Sequence, residues 1–206
     1  MTISLSDAGK RFNREWIFRH FTYTFEPGQA CALTGANGSG KSTLLQVISG
    51  SMHFNEGSCD WTNPDGSRIP ADKVFEQVSI CAPYLEVVEE MTLREFLVFH
   101  GNFKSWLPGT DVDSIIGELG LGHAADKQIR NYSSGMKQRV KLAQCIFPDT
   151  SLMLLDEPCT NLDLDGIALY HRLVDRYRGN RLVIVSSNDE VEYSFCREKI
   201  NLFDYK

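Results

Sequence analysis

Residues Gly35 to Ser42 read Gly-Ala-Asn-Gly-Ser-Gly-Lys-Ser and fill every fixed position of the pattern G-x-x-x-x-G-K-[ST]. Glycines at this spacing let a backbone wrap inward until successive amide N–H groups converge, which is the cradle a polyphosphate requires. Lys41 then supplies a point charge for the β and γ phosphates, and the Ser42 hydroxyl suits Mg²⁺. The flanks constrain the fold as strongly. Ala30-Cys31-Ala32-Leu33 reads as a buried strand entering the loop. Thr43-Leu44-Leu45-Gln46-Val47-Ile48 reads as the helix leaving it, with its positive N-terminal end directed at the bound anion. Strand, loop and helix in that order point to an α/β nucleotide-binding core.

A chain of 206 residues suits one such domain, with 42% hydrophobic and 23% charged residues. The formal net charge is −6. A nucleic-acid grip needs a basic surface, so no nucleic-acid partner is expected. No apolar run approaches the ~20 residues that span a bilayer, and Met1 to Asp7 lack the basic and apolar stretches of a signal peptide. Six cysteines (Cys31, Cys59, Cys81, Cys145, Cys159, Cys196) are scattered without a C-x-x-C pair. They read as small core hydrophobes in a reducing cytoplasm rather than as a zinc site or a disulfide framework.

Along the chain, Thr2–Leu5, Trp16–Phe18 and Phe21–Phe25 alternate as strands, and a further strand ends at Cys59-Asp60-Trp61. Val78–Ala82 is a short apolar strand stopped by Pro83. Beyond it the texture turns helical: Arg94–His100, Asp113–Leu119, and a third helix presenting Met136, Val140, Ala143 and Phe147 on one face. Leu152–Leu155 and Leu182–Val185 are unbroken apolar runs, as central parallel strands covered on both faces should be.

Asp156 and Glu157 follow the first of those runs directly. An acidic residue at the carboxyl end of a central strand faces the ligand crevice of an open α/β sheet. There Asp156 can hold the Mg²⁺ that Ser42 contacts, and Glu157 can orient or deprotonate an attacking water. A second small-residue turn, Tyr132-Ser133-Ser134-Gly135-Met136-Lys137-Gln138-Arg139, places a serine as N-cap of a helix, another anion-binding terminus.

That turn resembles the signature of the ABC ATPase family, usually L-S-G-G-Q followed by a basic, glutamine-rich helix start. The order of phosphate loop, helical stretch, signature and strand-Asp-Glu matches the family over essentially the whole chain. The resemblance implies a P-loop NTPase core with a mainly parallel sheet, an N-terminal antiparallel β subdomain, and a helical insertion over approximately 84–142. It implies ATP and Mg²⁺ as ligands. ATP would be held by Gly35, Ala36, Asn37, Gly38, Ser39, Gly40, Lys41, Ser42 and Thr43, and the metal by Ser42 and Asp156. Phe12, with Trp16 as alternative, would stack on adenine. Ser133, Ser134 and Gly135 would close over the nucleotide of an opposite protomer, and Asp163, in Asn161-Leu162-Asp163, would lie in the D-loop at that interface. The expected partners are a second ABC ATPase, identical or not, and a transmembrane permease subunit, which places the chain at the inner face of the cell membrane.

Two family residues are missing. The strand that enters the helical insertion runs into Ala82-Pro83-Tyr84-Leu85-Glu86 where the family has glutamine, with Tyr84 or Glu86 as candidate substitutes. After Leu182–Val185 the family has a histidine that contacts the γ-phosphate, whereas this chain has Asn188. An amide donates one hydrogen bond but carries no imidazolium charge, so its help in the transition state should be smaller. Ser134 for glycine and Met136 for glutamine are milder departures. The expectation is an ATP-hydrolysing subunit of a bacterial exporter, the alternatives being a non-transport ABC ATPase or a weakly hydrolysing regulatory module. No Asn-Lys-x-Asp guanine-reading motif occurs, which disfavours a GTPase, and a small-molecule kinase would leave the signature turn without a role.

Overall fold

The computed structural model describes residues 1–206. Two sheets share one body. The first is antiparallel, with β1 (Thr2–Phe12), β2 (Glu15–Phe25), β4 (Glu56–Thr62) and the short β5 (Arg68–Ile69) in the order β2-β1-β4-β5. The second is parallel throughout, with β6 (Val78–Cys81), β7 (Leu152–Asp156), β8 (Leu182–Ser186), β3 (Ala30–Thr34) and β9 (Glu198–Asn201) in the order β6-β7-β8-β3-β9.

The alternation of side chains across a pleat divides the interior in two. Cys31, Leu33, Leu152, Leu154, Leu182 and Ile184 face a core shared with α1 (Lys41–Ile48) and the antiparallel sheet. Ala32, Met153, Leu155, Val183 and Val185 face the opposite core. That core is roofed by α4 (Ser134–Ile146) and α5 (Leu164–Tyr177), and continues into α2 (Leu93–Gly101) and α3 (Val112–Glu118). Every residue of β7 and β8 is buried, which is why both read as unbroken apolar runs.

Trp16–Phe18 and Phe21–Phe25 are parts of one strand rather than two. His20 takes a φ of 57° and Asp7 on the neighbouring strand a φ of 50°, and the β1–β2 register shifts beside them. This bulge interrupts the alternation without ending the pairing. The amphipathic α5 escaped the sequence reading. Asp163 caps it by accepting from the Gly166 amide at 2.8 Å, and Leu169, Tyr170, Leu173 and Val174 are its buried face. β5, β9 and the single-turn α6 (Glu190–Tyr193) are too short to carry a period. All six cysteines are unpaired, and all except Cys159 are buried. No helix is long and apolar enough to cross a membrane.

Candidate active site

Four strand ends converge on one edge of the parallel sheet. Ala82-Pro83-Tyr84 leaves β6, Asp156 and Glu157 end β7, Ser187 and Asn188 leave β8, and the phosphate loop leaves β3. Because β8 lies between β7 and β3, the pair Asp156/Glu157 stands one strand away from the loop. This is the crevice in which an open α/β sheet binds its ligand.

The loop is built around positive φ values that only glycine adopts without strain, and Gly40 shows the requirement most plainly. Its φ is 102°, and a Cβ there would sit 2.3 Å from Ile17 Cγ2, so both conformation and space demand glycine immediately before α1. Ala36, Asn37 and Gly38 form the exposed tip, whereas Ser39 is buried and its hydroxyl has no hydrogen-bond partner within the protein. Ser42 and Thr43 open α1, half-buried at its positive end. The Lys41 ammonium donates to the Gly35 carbonyl at 2.7 Å and the Ala36 carbonyl at 3.4 Å. Burial pushes its pKa down, while Glu157 and Asp156 pull it back up. The two carboxylates therefore lie within electrostatic reach of the loop lysine.

Asp156 is buried and accepts from the Ser186 hydroxyl at 2.6 Å, which orients one carboxylate oxygen. Glu157 is exposed, with its amide donating to the Ser186 carbonyl at 2.9 Å. Its φ of 44° is unusual for a residue with a side chain. A divalent cation of the Mg²⁺ kind takes few protein ligands and shares its shell with water and phosphate oxygens. The buried, pre-oriented Asp156, at a strand end one strand away from the loop, fits such a site, and no group of three or more carboxylate, histidine or cysteine side chains competes for it. Asn188, exposed at the next strand end, donates from Nδ2 to Asn37 Oδ1 at 2.8 Å and so reaches the tip of the phosphate loop. None of the five histidines stands there; His20 pairs with Asp7 at 2.7 Å on the antiparallel sheet.

Of the two candidate substitutes after β6, Tyr84 lies within electrostatic reach of Asp156: burial raises its phenol pKa and the nearby carboxylate raises it further. Glu86 lines a different cleft, with Lys137, Gln138 and Lys141 of α4. Gln77 lies at the opposite end of the strand and binds the Ser151 hydroxyl at 2.9 Å. Phe12 is 47% exposed at the end of β1, with the Lys10 ammonium 5.1 Å from its ring centroid. Trp16 is already flanked by Arg11 and Arg19 at 5.4 and 4.5 Å, so Phe12 is the freer face.

The signature turn lines a cleft to which neither the phosphate loop nor Asp156, Glu157 or Asn188 contributes. Ser133 caps α4 by accepting from the Met136 amide at 3.2 Å, and Ser133, Ser134 and Gly135 line a cleft of about 320 Å³ with Asn161 and Asp163. Asp163 caps α5 and lies 3.9 Å from Arg139. Two further residues were not singled out from the sequence. Gln138, buried in α4, donates to the Pro158 carbonyl at 2.7 Å, and Glu192, buried in α6, accepts from the Cys159 amide at 2.7 Å. Both join distant segments, and no local pattern announces such bonds.

Known proteins share the sequence family and the fold. The family model described as ABC transporter matches residues 18–160. An uncharacterised ABC transporter ATP-binding protein of Bacillus subtilis (strain 168) is 29% identical over 94% of this chain and 89% of its own length. A cytochrome c biogenesis ATP-binding export protein of Xanthomonas axonopodis pv. citri is 29% identical over 85% of this chain and 81% of its own. Among solved structures, an ABC transporter ATP-binding protein from Pyrococcus furiosus superposes over the whole of both chains with a TM-score of 0.83 at 22% identity.

Proposed function

Because the chain belongs to the ABC transporter family, we propose that it is the ATP-hydrolysing subunit of a bacterial exporter, working as a dimer beneath a separate membrane permease. The observation that supports this most is the convergence of the phosphate loop, Asp156, Glu157 and Asn188 at one sheet edge, with Lys41 inside the field of both carboxylates. The name of the Xanthomonas relative, an ATP-binding export protein, supports the export direction.

Loop amides and Lys41 bind and align the phosphates of ATP, and Phe12 offers an aromatic face to the adenine without reading its edges. Mg²⁺, held by Ser42 and Asp156, would neutralise charge on the transferring group. Glu157 accepts a hydrogen bond from the attacking water and orients it toward the γ-phosphorus. Asn188 donates to a γ-phosphate oxygen, exchanging its bond to Asn37 for one to the ligand. Ser133, Ser134 and Gly135, which line a cleft without the phosphate loop of their own chain, close over ATP held by an opposite protomer, with Asp163 at the junction. The positive end of α4 makes that turn suitable for an anion.

Lys41→Ala tests this reading. Loss of a charge-assisted contact to phosphate is expected to weaken Mg-ATP binding ~100-fold, about 3 kcal/mol, while far-ultraviolet circular dichroism is unchanged. Undiminished affinity would refute the phosphate-loop assignment. Intact binding by the wild type without any turnover would instead favour the regulatory module.

A further inference from the structure

We propose that Glu192 is a positioning residue that clamps together the two segments presenting Glu157 and Asn188; the proposal rests on the ATPase reading above. Glu192 is 5% exposed, and its Oε1 accepts from the Cys159 amide at 2.7 Å. Burial raises its pKa, and the bond from the Cys159 amide opposes that. Cys159 stands two residues after Glu157, and Glu192 lies on α6, four residues after Asn188. Its carboxylate therefore ties the helix that follows the turn after β8 to the turn after β7.

The neighbouring backbone shows why a clamp is needed. Glu157 holds a left-handed φ of 44° and Asn161 one of 64°, so the turn between them departs twice from ordinary conformations. Such conformations cost on the order of 1–3 kcal/mol each and persist only where the surroundings over-determine them. The Glu157 amide is tied to the Ser186 carbonyl at 2.9 Å, and Gln138 holds the Pro158 carbonyl at 2.7 Å. The Glu192 bond to Cys159 is a further restraint on the same turn, and it comes from a side chain beyond β8. Glu192 itself is anchored independently of its carboxylate. Its carbonyl accepts from the buried Tyr170 hydroxyl at 2.8 Å and its amide donates to the Asp189 carbonyl at 3.0 Å. A side-chain substitution therefore leaves α6 tied in place while releasing the turn after β7 from it.

The experiment compares Glu192→Ala and Glu192→Gln with the wild-type chain by steady-state kinetics, by affinity for a fluorescent ATP analogue, and by amide hydrogen exchange. Misplacing a reacting group lowers kcat rather than ground-state binding, so Glu192→Ala is expected to reduce kcat about tenfold with KM and analogue affinity within about twofold. The Cys159 amide should exchange about tenfold faster, while amides of α1 and of β3 keep their wild-type rates. Glu192→Gln retains an oxygen for the Cys159 amide and should recover most of both losses. A merely structural role would lower the melting temperature and loosen α1 along with the turn, and that pattern overturns the proposal. So does an unchanged kcat in Glu192→Ala. If the wild type itself shows no turnover, the ATPase reading fails, and unchanged exchange at Cys159 in Glu192→Ala still overturns the clamp.

Discussion

Asn188→His should speed hydrolysis at low pH and lose that advantage as pH rises. In the wild type the Asn188 amide spans 2.8 Å to Asn37 Oδ1, so a side chain at this position already reaches the phosphate loop. A neutral donor contributes ~0.5–1.5 kcal/mol net and a charged one ~1.5–3 kcal/mol, a difference of roughly 1 kcal/mol or more. Asn188 is exposed, and solvent screening favours the lower figure, which corresponds to about a fivefold rise in kcat. The gain exists only while the imidazole is protonated. With an unperturbed pKa of ~6.5, that is roughly three quarters of molecules at pH 6 and a few per cent at pH 8. The phosphate charge would move this window upward. The ratio of variant to wild-type kcat should therefore fall from about five toward one across the window, with KM little changed. Steady-state phosphate release from pH 5.5 to 8.5 measures it. A ratio that stays at one throughout, or that does not vary with pH, would refute the assignment of Asn188 as γ-phosphate donor.

In the Glu157→Gln background, where water activation is removed, saturating Mg-ATP should convert the chain to a dimer by light scattering. Adding Ser133→Arg should return it to monomer, because the cleft at the head of α4 would receive bulk and charge; a monomer before the second substitution would refute the two-site sandwich. Stability should also depend on His100, whose pKa is lowered to about 4, chiefly by burial and then by Lys104. Its ring stacks on Trp106 at 5.4 Å and its Nδ1 is buried without a partner. A histidine held below its unfolded value keeps its contribution above ~6.5 and loses it as pH falls toward 4, by ~2 kcal/mol after allowance for solvent. The wild type should lose that much more stability than His100→Phe between pH 6.5 and 4 in urea titrations, and parallel curves would refute the argument.

The nucleotide loop, its flanking strand and helix, and the cap at Ser133 are encoded within a few residues of themselves, and they were legible for that reason. Hydrophobic period located β7, β8, α2, α3 and α4, because burial on two faces or one stripe imposes a pattern that a short window can hold. The same window missed α5, whose cap residue reads equally well as part of a loop, and it split β2 at His20, where a bulge reverses the alternation. What the sequence by itself determined was the inventory: a glycine-rich loop between a strand and a helix, two carboxylates after one apolar strand, a small-residue turn capping a helix, and an asparagine after a second apolar strand. Only the tertiary structure decided which of these stand together. The order β6-β7-β8-β3-β9 brings Glu157 and Asn188 to the loop and leaves Ser133 outside it. The bonds Asn188–Asn37, Gln138–Pro158 and Glu192–Cys159 join residues 151, 20 and 33 positions apart. A hydrogen bond between distant segments leaves no periodicity in either of them, so its existence depends on the packing of the sheet and helices that lie between.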